Sequence, residues 1–519
     1  MSKVLIIGLD SADAELIERW SDEGALPTLA ALRREGTWGR LGTSAEVMHV
    51  SAWPTIYTGT TPGRHGLYHA YQVRAGEQEI RRADVEANPV PPFWKYLDDA
   101  GRRCIVVDAF MNCPLPDFRG IQILEYGTWT WFTDPVTTPG HLRREILRRF
   151  GPYPAPEHLE VFTVPEPIRF RDRLIRGAAV KADVARWLLT EQPWSMAFIN
   201  FGEPHGAGHY LWHVSDATHP AAPAGGPPAG AENALRDVYA AVDTAIGRIL
   251  DEVDDRTTVI ITSGDGMGPN YAGCHLVPEA LHRLGLFHAA GVGKTADRER
   301  SGRRPRRSPA SVLREAIPLS VRHAVTRCLP RSVRYRLNLK WANSNIDWSR
   351  TSVFCIPNSN EAYLRVNLEG REPLGRVDPA SYPDLLAELG AHLAELVVPA
   401  SGRAAARRIF AIDELFPGPE RPHLPDLVVS WDPDARVLDE LHSERCGRIK
   451  GVAGYQTAPY YTGNHRPNAF VLARGPHVPA GGTLADGDIL DIAPTTLALL
   501  GVDPPAHFEG KAWSEFLAS

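Results

Sequence analysis

Four short runs in this chain are apolar at consecutive positions and end at a polar or glycine-rich turn: VLIIGLD (4–10), IVVDAF (105–110), AFINFGEPH (197–205) and TVIITSGDG (258–266). Such unalternating runs predict strands buried on both faces, as in a parallel sheet. Between them the period changes. Leu235, Val238, Tyr239, Val242, Ile246, Ile249 and Leu250 recur at three- and four-residue spacing, one apolar stripe of a helix. Pro27 followed by TLAALRREG predicts a helix with proline in its first turn and Gly36 as its stop. Strands alternating with helices predict a doubly wound α/β fold, whose ligands bind beyond the carboxyl ends of the strands. Asp10, His205 and Asp265 all fall at such ends.

Length and composition narrow the class. At 519 residues the chain exceeds one ordinary core, which predicts two domains or one large domain with insertions. A formal net charge of −6 argues against nucleic acid as a partner. The apolar run in MSKVLIIGLDSAD is too short for a signal-peptide core, and no window approaches the roughly 18 apolar residues of a membrane span. The six cysteines are scattered without a CxxC pair and read as reduced thiols, so the expected location is cytoplasmic. Two segments stand apart. HPAAPAGGPPAG (219–230) reads as a linker, and residues 294–340 hold 14 Lys/Arg against 3 acids. That basic stretch fits either a solvated insertion or a lid that meets an anionic surface.

Several side chains carry candidate chemistry. His205 and His209 in EPHGAGHYLWH have the HxxxH spacing that turns two imidazoles to one helix face, as a divalent metal requires, although packing or capping roles give the same spacing. His465 lies in the turn TGNHRPNAF. Asp10 is either a ligand or a helix N-cap, and Asp265, between Gly264 and Gly266, is either a ligand or a plain turn carboxylate. The loop SAEVMHVSAWPTIYTGTTPGRHG (44–66) offers His49 beside the hydroxyls of Ser51, Thr55 and Thr58, and ends in Arg64 and His65. Placement at neighbouring strand ends makes the group stronger than any member.

The blocks VLIIGLDSAD, AWPTIYTGTTPGRHG, GHYLWH, TSGDGMGPN, YLRVNLEGREPLGRV (363–377), PDLVVSWD (425–432), GNHRPNAFVLARGP (463–476) and DILDIAPTTLALLGVDPP (488–505) together resemble the alkaline phosphatase superfamily, in its type I phosphodiesterase/nucleotide pyrophosphatase branch. The resemblance implies an α/β, alkaline-phosphatase-like core with a mostly parallel sheet between helices. Residues 1–269 and 451–519 would form this core, and 270–450 an inserted cap with some core elements. It also implies hydrolysis of a small-molecule phosphoester by two divalent metal ions, zinc first, with manganese or iron as alternatives. His205, His209 and His465 would hold one; Asp10 and Asp265 would hold the other, with His49 assisting. Arg466 would contact the anionic substrate, and Glu203 would act as acid, base or ligand.

This chain departs from the family pattern at three places. His205 stands where the family has an acid, and Gly264–Asp265 replaces an Asp-His pair. His49, ten residues before Gly59, occupies the position of the nucleophilic Thr or Ser, with Ser51 two residues on. Three readings follow: His49 is a ligand while Ser51 or water attacks; His49 itself takes the phosphoryl group; or a weakened second site leaves one metal and different chemistry. A sulfatase-like enzyme or a phospho- or sulfo-group transferase is the alternative among enzymes, although no CxPxR or SxPxR segment is present. A non-catalytic metal or anion binder is the alternative outside them.

Overall fold

The apolar runs form adjacent strands in a computed structural model of the chain, which describes residues 2–127, 136–155, 166–290, 336, 339, 340, 343, 346–451 and 461–517. The strand Lys3–Leu9 is central and lies parallel to Met196–Phe201 on one side and Thr257–Ser263 on the other. The nine-stranded sheet runs, edge to edge, Gly482–Asp488, Thr37–Gly42, Phe470–Arg474, Thr257–Ser263, Lys3–Leu9, Met196–Phe201, Cys104–Val107, Ile121–Leu124 and Val136–Thr138. Only Phe470–Arg474, against both its neighbours, and the edge strand Val136–Thr138 pair antiparallel.

Both faces of this sheet are covered, and the two-residue period of a strand shows how. Leu5, Ile7 and Leu9 join Ile199, Phe201 and Ile261 in one core, under the helices Ala14–Asp22, Pro27–Glu35, Pro167–Glu191 and Ala234–Leu250. Val4 and Ile6 join Phe198 and Ile260 in another, under Ala52–Thr58, Phe93–Asp99 and Ile492–Leu499. The predicted helices form where the spacing put them, with Pro27 at the N-terminal turn and Gly36 just past the end. The third run stops being a strand sooner than its sequence suggests. Beyond Phe201 the chain turns at Gly202 into the helix Glu203–Ser215, with Pro204 in its first turn.

A second sheet, antiparallel in the order Val353–Ile356, Ala362–Val366, Leu427–Trp431 and Ala406–Ala411, gathers a separate apolar core with the helices Val277–Arg283 and Tyr382–Ala394. Val47, Met48, Tyr68 and Ile80 pack into the same core, tying it to the loop that follows Gly42. The basic 294–340 stretch lies outside the described residues except at 336, 339 and 340. Among the described residues no helix is long and apolar enough to cross a membrane.

Candidate active site

The carboxyl ends of three parallel strands deliver the first groups. Asp10 follows Lys3–Leu9 directly and is 3% exposed. It caps no helix, because Asp13 accepts from Glu15 N and Leu16 N and fills that role. Instead Asp10 Oδ1 accepts from Trp53 Nε1 at 2.7 Å, which fastens the 44–58 loop to the central strand. Gly8 makes room for this, since a Cβ there would meet the Trp53 ring at 2.6 Å. The next residue, Ser11, is a non-glycine at φ 53°, a left-handed conformation that costs about 1–3 kcal/mol and aims its hydroxyl into the cluster. Ser11 Oγ lies 3.3 Å from Asp265 Oδ2 and 3.3 Å from His465 Nδ1.

The helix Glu203–Ser215 brings in His205 and His209, one turn apart on one face, with their Nε2 atoms 2.9 Å from each other. Gly208 sits under Met267, whose side chain occupies the space a Cβ would take, so the helix can approach the ribbon formed by Gly266–Pro269 and Gly463–Arg466. In that ribbon His465 stands opposite Met267. His205, His209 and His465 thereby place three ligand-capable atoms within 4.8 Å of one another, the one such group among the described residues.

Two of these imidazoles are held by Nδ1 on an oxygen, and the third has its Nδ1 facing one. His205 Nδ1 faces Asp10 Oδ2 at 3.2 Å, His209 Nδ1 meets Gly463 O at 2.9 Å, and His465 Nδ1 meets Asp265 Oδ2 at 2.6 Å. Anchoring at Nδ1 fixes the rings and leaves Nε2 for the centre, the usual outer support of a metal-ligating histidine. Asp10 Oδ2 has no hydrogen bond and is buried. The donor chemistry of this pocket therefore fits a divalent cation.

Electrostatics agree with the donor set. Burial works against charge on Asp10, but the neighbouring His205, with Trp53, brings its carboxyl below the ordinary value. Burial, reinforced by Asp10, pushes the Asp265 carboxyl well above it. Burial and the surrounding imidazoles hold His209 and His465 well below the usual imidazole value. Asp265 driven up beside imidazoles driven down marks a buried site in which burial opposes charge of either sign.

The remaining candidates separate. His49 sits in the short turn His49–Ser51, is buried, and hydrogen-bonds through Nδ1 to Glu361 Oε2 at 2.8 Å. Its ring stacks on His465 with 4.1 Å between centres. Ser51 turns its hydroxyl the other way, donating to Met48 O at 2.6 Å and to Ser44 Oγ at 2.8 Å. Glu203 is not part of the imidazole group. It is 1% exposed, accepts from Tyr153 OH, and lies 3.7 Å from the buried Lys181, which is also 3.1 Å from Asp108. Arg466 follows His465 in a strand, so it points to the opposite face, where its guanidinium lies over Gly268. Ser11 and Glu361 are the participants that sequence reasoning missed. Ser11 had a signal, a hydroxyl directly after a strand-end acid; Glu361 had none.

A mostly parallel, doubly covered sheet with acids and imidazoles at its strand ends defines an alkaline-phosphatase-like α/β protein. The profile of the type I phosphodiesterase/nucleotide pyrophosphatase family matches residues 4–456, and the chain belongs to that family, one of phosphoester hydrolases. No curated protein matches it. Among solved structures it is similar to the phosphonoacetate hydrolase of Sinorhizobium meliloti 1021, at 12% identity and a TM-score of 0.50 over 96% of this chain and 95% of that one. It is also similar to murine ectonucleotide pyrophosphatase/phosphodiesterase 5, at 14% identity and a TM-score of 0.45 over 97% and 96%.

Proposed function

We propose that this chain is a metal-dependent phosphodiesterase that holds one divalent cation, zinc by its imidazole donors, between His205, His209 and His465. The observation that carries this reading is the convergence of three imidazoles within 4.8 Å, each with its Nδ1 facing an oxygen. A cation there supplies Lewis-acid stabilisation to charge that builds on phosphoryl oxygens. Asp10 and Asp265, expected as ligands of a second ion, are engaged with His205 and His465, which favours one ion over two. The protein's own groups then orient the ligands, with Trp53 holding Asp10 and the loop in place.

The test is a metal count joined to a substrate screen. One equivalent of zinc per chain, with turnover of bis(p-nitrophenyl) phosphate ahead of aryl monoesters and sulfates, is the expected result. Two equivalents would restore a dinuclear site. No bound metal and no turnover would reduce the chain to a binding protein.

A further inference from the structure

Glu361 directly precedes the second-sheet strand Ala362–Val366, 312 residues from His49 in sequence, yet the two meet in a buried contact beside the imidazole group. Its carboxylate is fully organised. Oε2 accepts from His49 Nδ1 at 2.8 Å, from Asn358 Nδ2 at 3.1 Å and from Tyr363 OH at 3.1 Å, while Oε1 accepts from Asn360 Nδ2 at 2.7 Å. A carboxylate held by four donors cannot swing to a ligand without breaking them, and only His49 among the four can use it chemically. The contact consumes Nδ1, so Nε2 is the one ring nitrogen of His49 left to react. His69, Tyr363 and His465 are the rings that pack around this pair.

Resting on the phosphodiesterase reading above, we propose that His49 is the nucleophile of this enzyme and Glu361 the residue that positions it. The Nε2 lone pair attacks phosphorus, the phosphorus–oxygen bond to the leaving group breaks, and the leaving alkoxide or aryloxide takes that electron pair. Bonding at Nε2 makes the ring cationic while Nδ1 keeps its proton, and the Glu361 carboxylate, 2.8 Å away, offsets the new charge. Water then attacks phosphorus, the phosphorus–nitrogen bond breaks with its electrons returning to Nε2, and one of the water's protons passes through solvent to the leaving oxyanion while the other stays on the monoester. The sum is diester plus water giving monoester plus alcohol. The hydroxyl nearest in sequence does not compete, because Ser51 is wholly buried and donates to Met48 O. Ser11 Oγ does lie in the cluster and is the rival acceptor.

The experiment is a rapid quench of zinc-loaded enzyme with bis(p-nitrophenyl) phosphate into alkaline denaturant, followed by peptide mass mapping. An acid-labile, base-stable adduct on His49, formed as fast as the first p-nitrophenolate, is expected. His49→Ala should keep its zinc and lose turnover by more than about a thousandfold. Added imidazole should restore part of that rate and carry the phosphoryl group away as a free N-phosphoryl imidazole. Glu361→Gln should bind zinc normally, form the same adduct at least about tenfold more slowly, and leave KM little changed. A base-labile adduct on Ser11, or burst-free turnover without any adduct and without imidazole rescue, would overturn the proposal while leaving the phosphodiesterase reading intact. Wild-type enzyme that binds zinc but cleaves no ester would instead defeat that reading.

Discussion

Two buried polar groups in this molecule use similar residues to different ends. In the second sheet, Arg371 forks onto Asp426 at 2.6 and 2.7 Å, and Arg365 pairs with Glu372 at 2.8 Å while donating to Leu424 O and Pro422 O. Arg421 and Tyr382 complete the shell around Asp426. Every acid there has its own guanidinium, so the group is electrically closed. At the strand ends, Asp10 and Asp265 have only imidazoles as ion-pair partners among the described residues. The first group is complete as folded. Under the proposed reading a cation would complete the second, which would be the difference between a structural ion network and a binding site.

The sharpest way to break this comparison is to remove His209. His209→Ala deletes one of three converging nitrogens while leaving the Arg371–Asp426 group untouched. We expect loss of stoichiometric zinc, measured by elemental analysis after dialysis, and a fall in diester turnover of more than about a thousandfold. Full metal content with full activity would dissolve the site. The reciprocal change is Asp426→Ala, which strands buried guanidinium charge and should cost about 3–5 kcal/mol in a urea titration. Folded Asp426→Ala protein should still take up zinc.

Asp426 also carries a pH signature. Burial alone would raise its carboxyl, but Arg371, helped by Arg365 and Arg421, holds it down to about 2 from the ordinary 3.8. A depressed carboxyl contributes stability above its unfolded value and loses it as pH falls through the folded one. Wild type should therefore shed on the order of 2 kcal/mol between roughly pH 4 and pH 2 through this residue. Asp426→Asn should lack that portion of the acid limb, read as urea midpoints across the same window.

How much of this was legible in the sequence follows from the range of each interaction. The strands showed as apolar runs because each is buried on both faces within its own few residues. His205 and His209 showed because four residues on a helix is one turn, and Asp10 because it abuts a strand. Glu203 lies only two residues from His205, but two residues carry a helix to another side, and its carboxylate meets Lys181 and Tyr153. Arg466 follows the corresponding rule for strands, where neighbours point apart. The His49–Glu361 contact was invisible because its halves are 312 residues apart and meet only on folding.

A finer cut at the comparison separates ligands from the groups that orient them. Asp265→Asn keeps the size of the side chain and an acceptor for His465 Nδ1, but removes the charge. If Asp265 acts through His465, zinc should bind about 10–100-fold more weakly with its stoichiometry unchanged, as a chelator competition would show. Loss of a whole equivalent would make Asp265 a direct ligand of a second ion.

The smallest effect is expected at the most conspicuous hydroxyl. Ser51 lies two residues from His49, but its Oγ donates back to Met48 O at 2.6 Å inside the turn His49–Ser51 and is shielded from the pocket. A hydroxyl spent this way stiffens the turn that presents His49. Ser51→Ala should lower stability by about 1 kcal/mol, the usual worth of one buried hydrogen bond whose carbonyl partner is left behind. Its kcat should stay within about threefold of wild type, with zinc content unchanged. A Ser51→Ala enzyme that retains its metal and fold but loses orders of magnitude in kcat would return the nucleophile to Ser51, and with it the reading of His49 as a ligand.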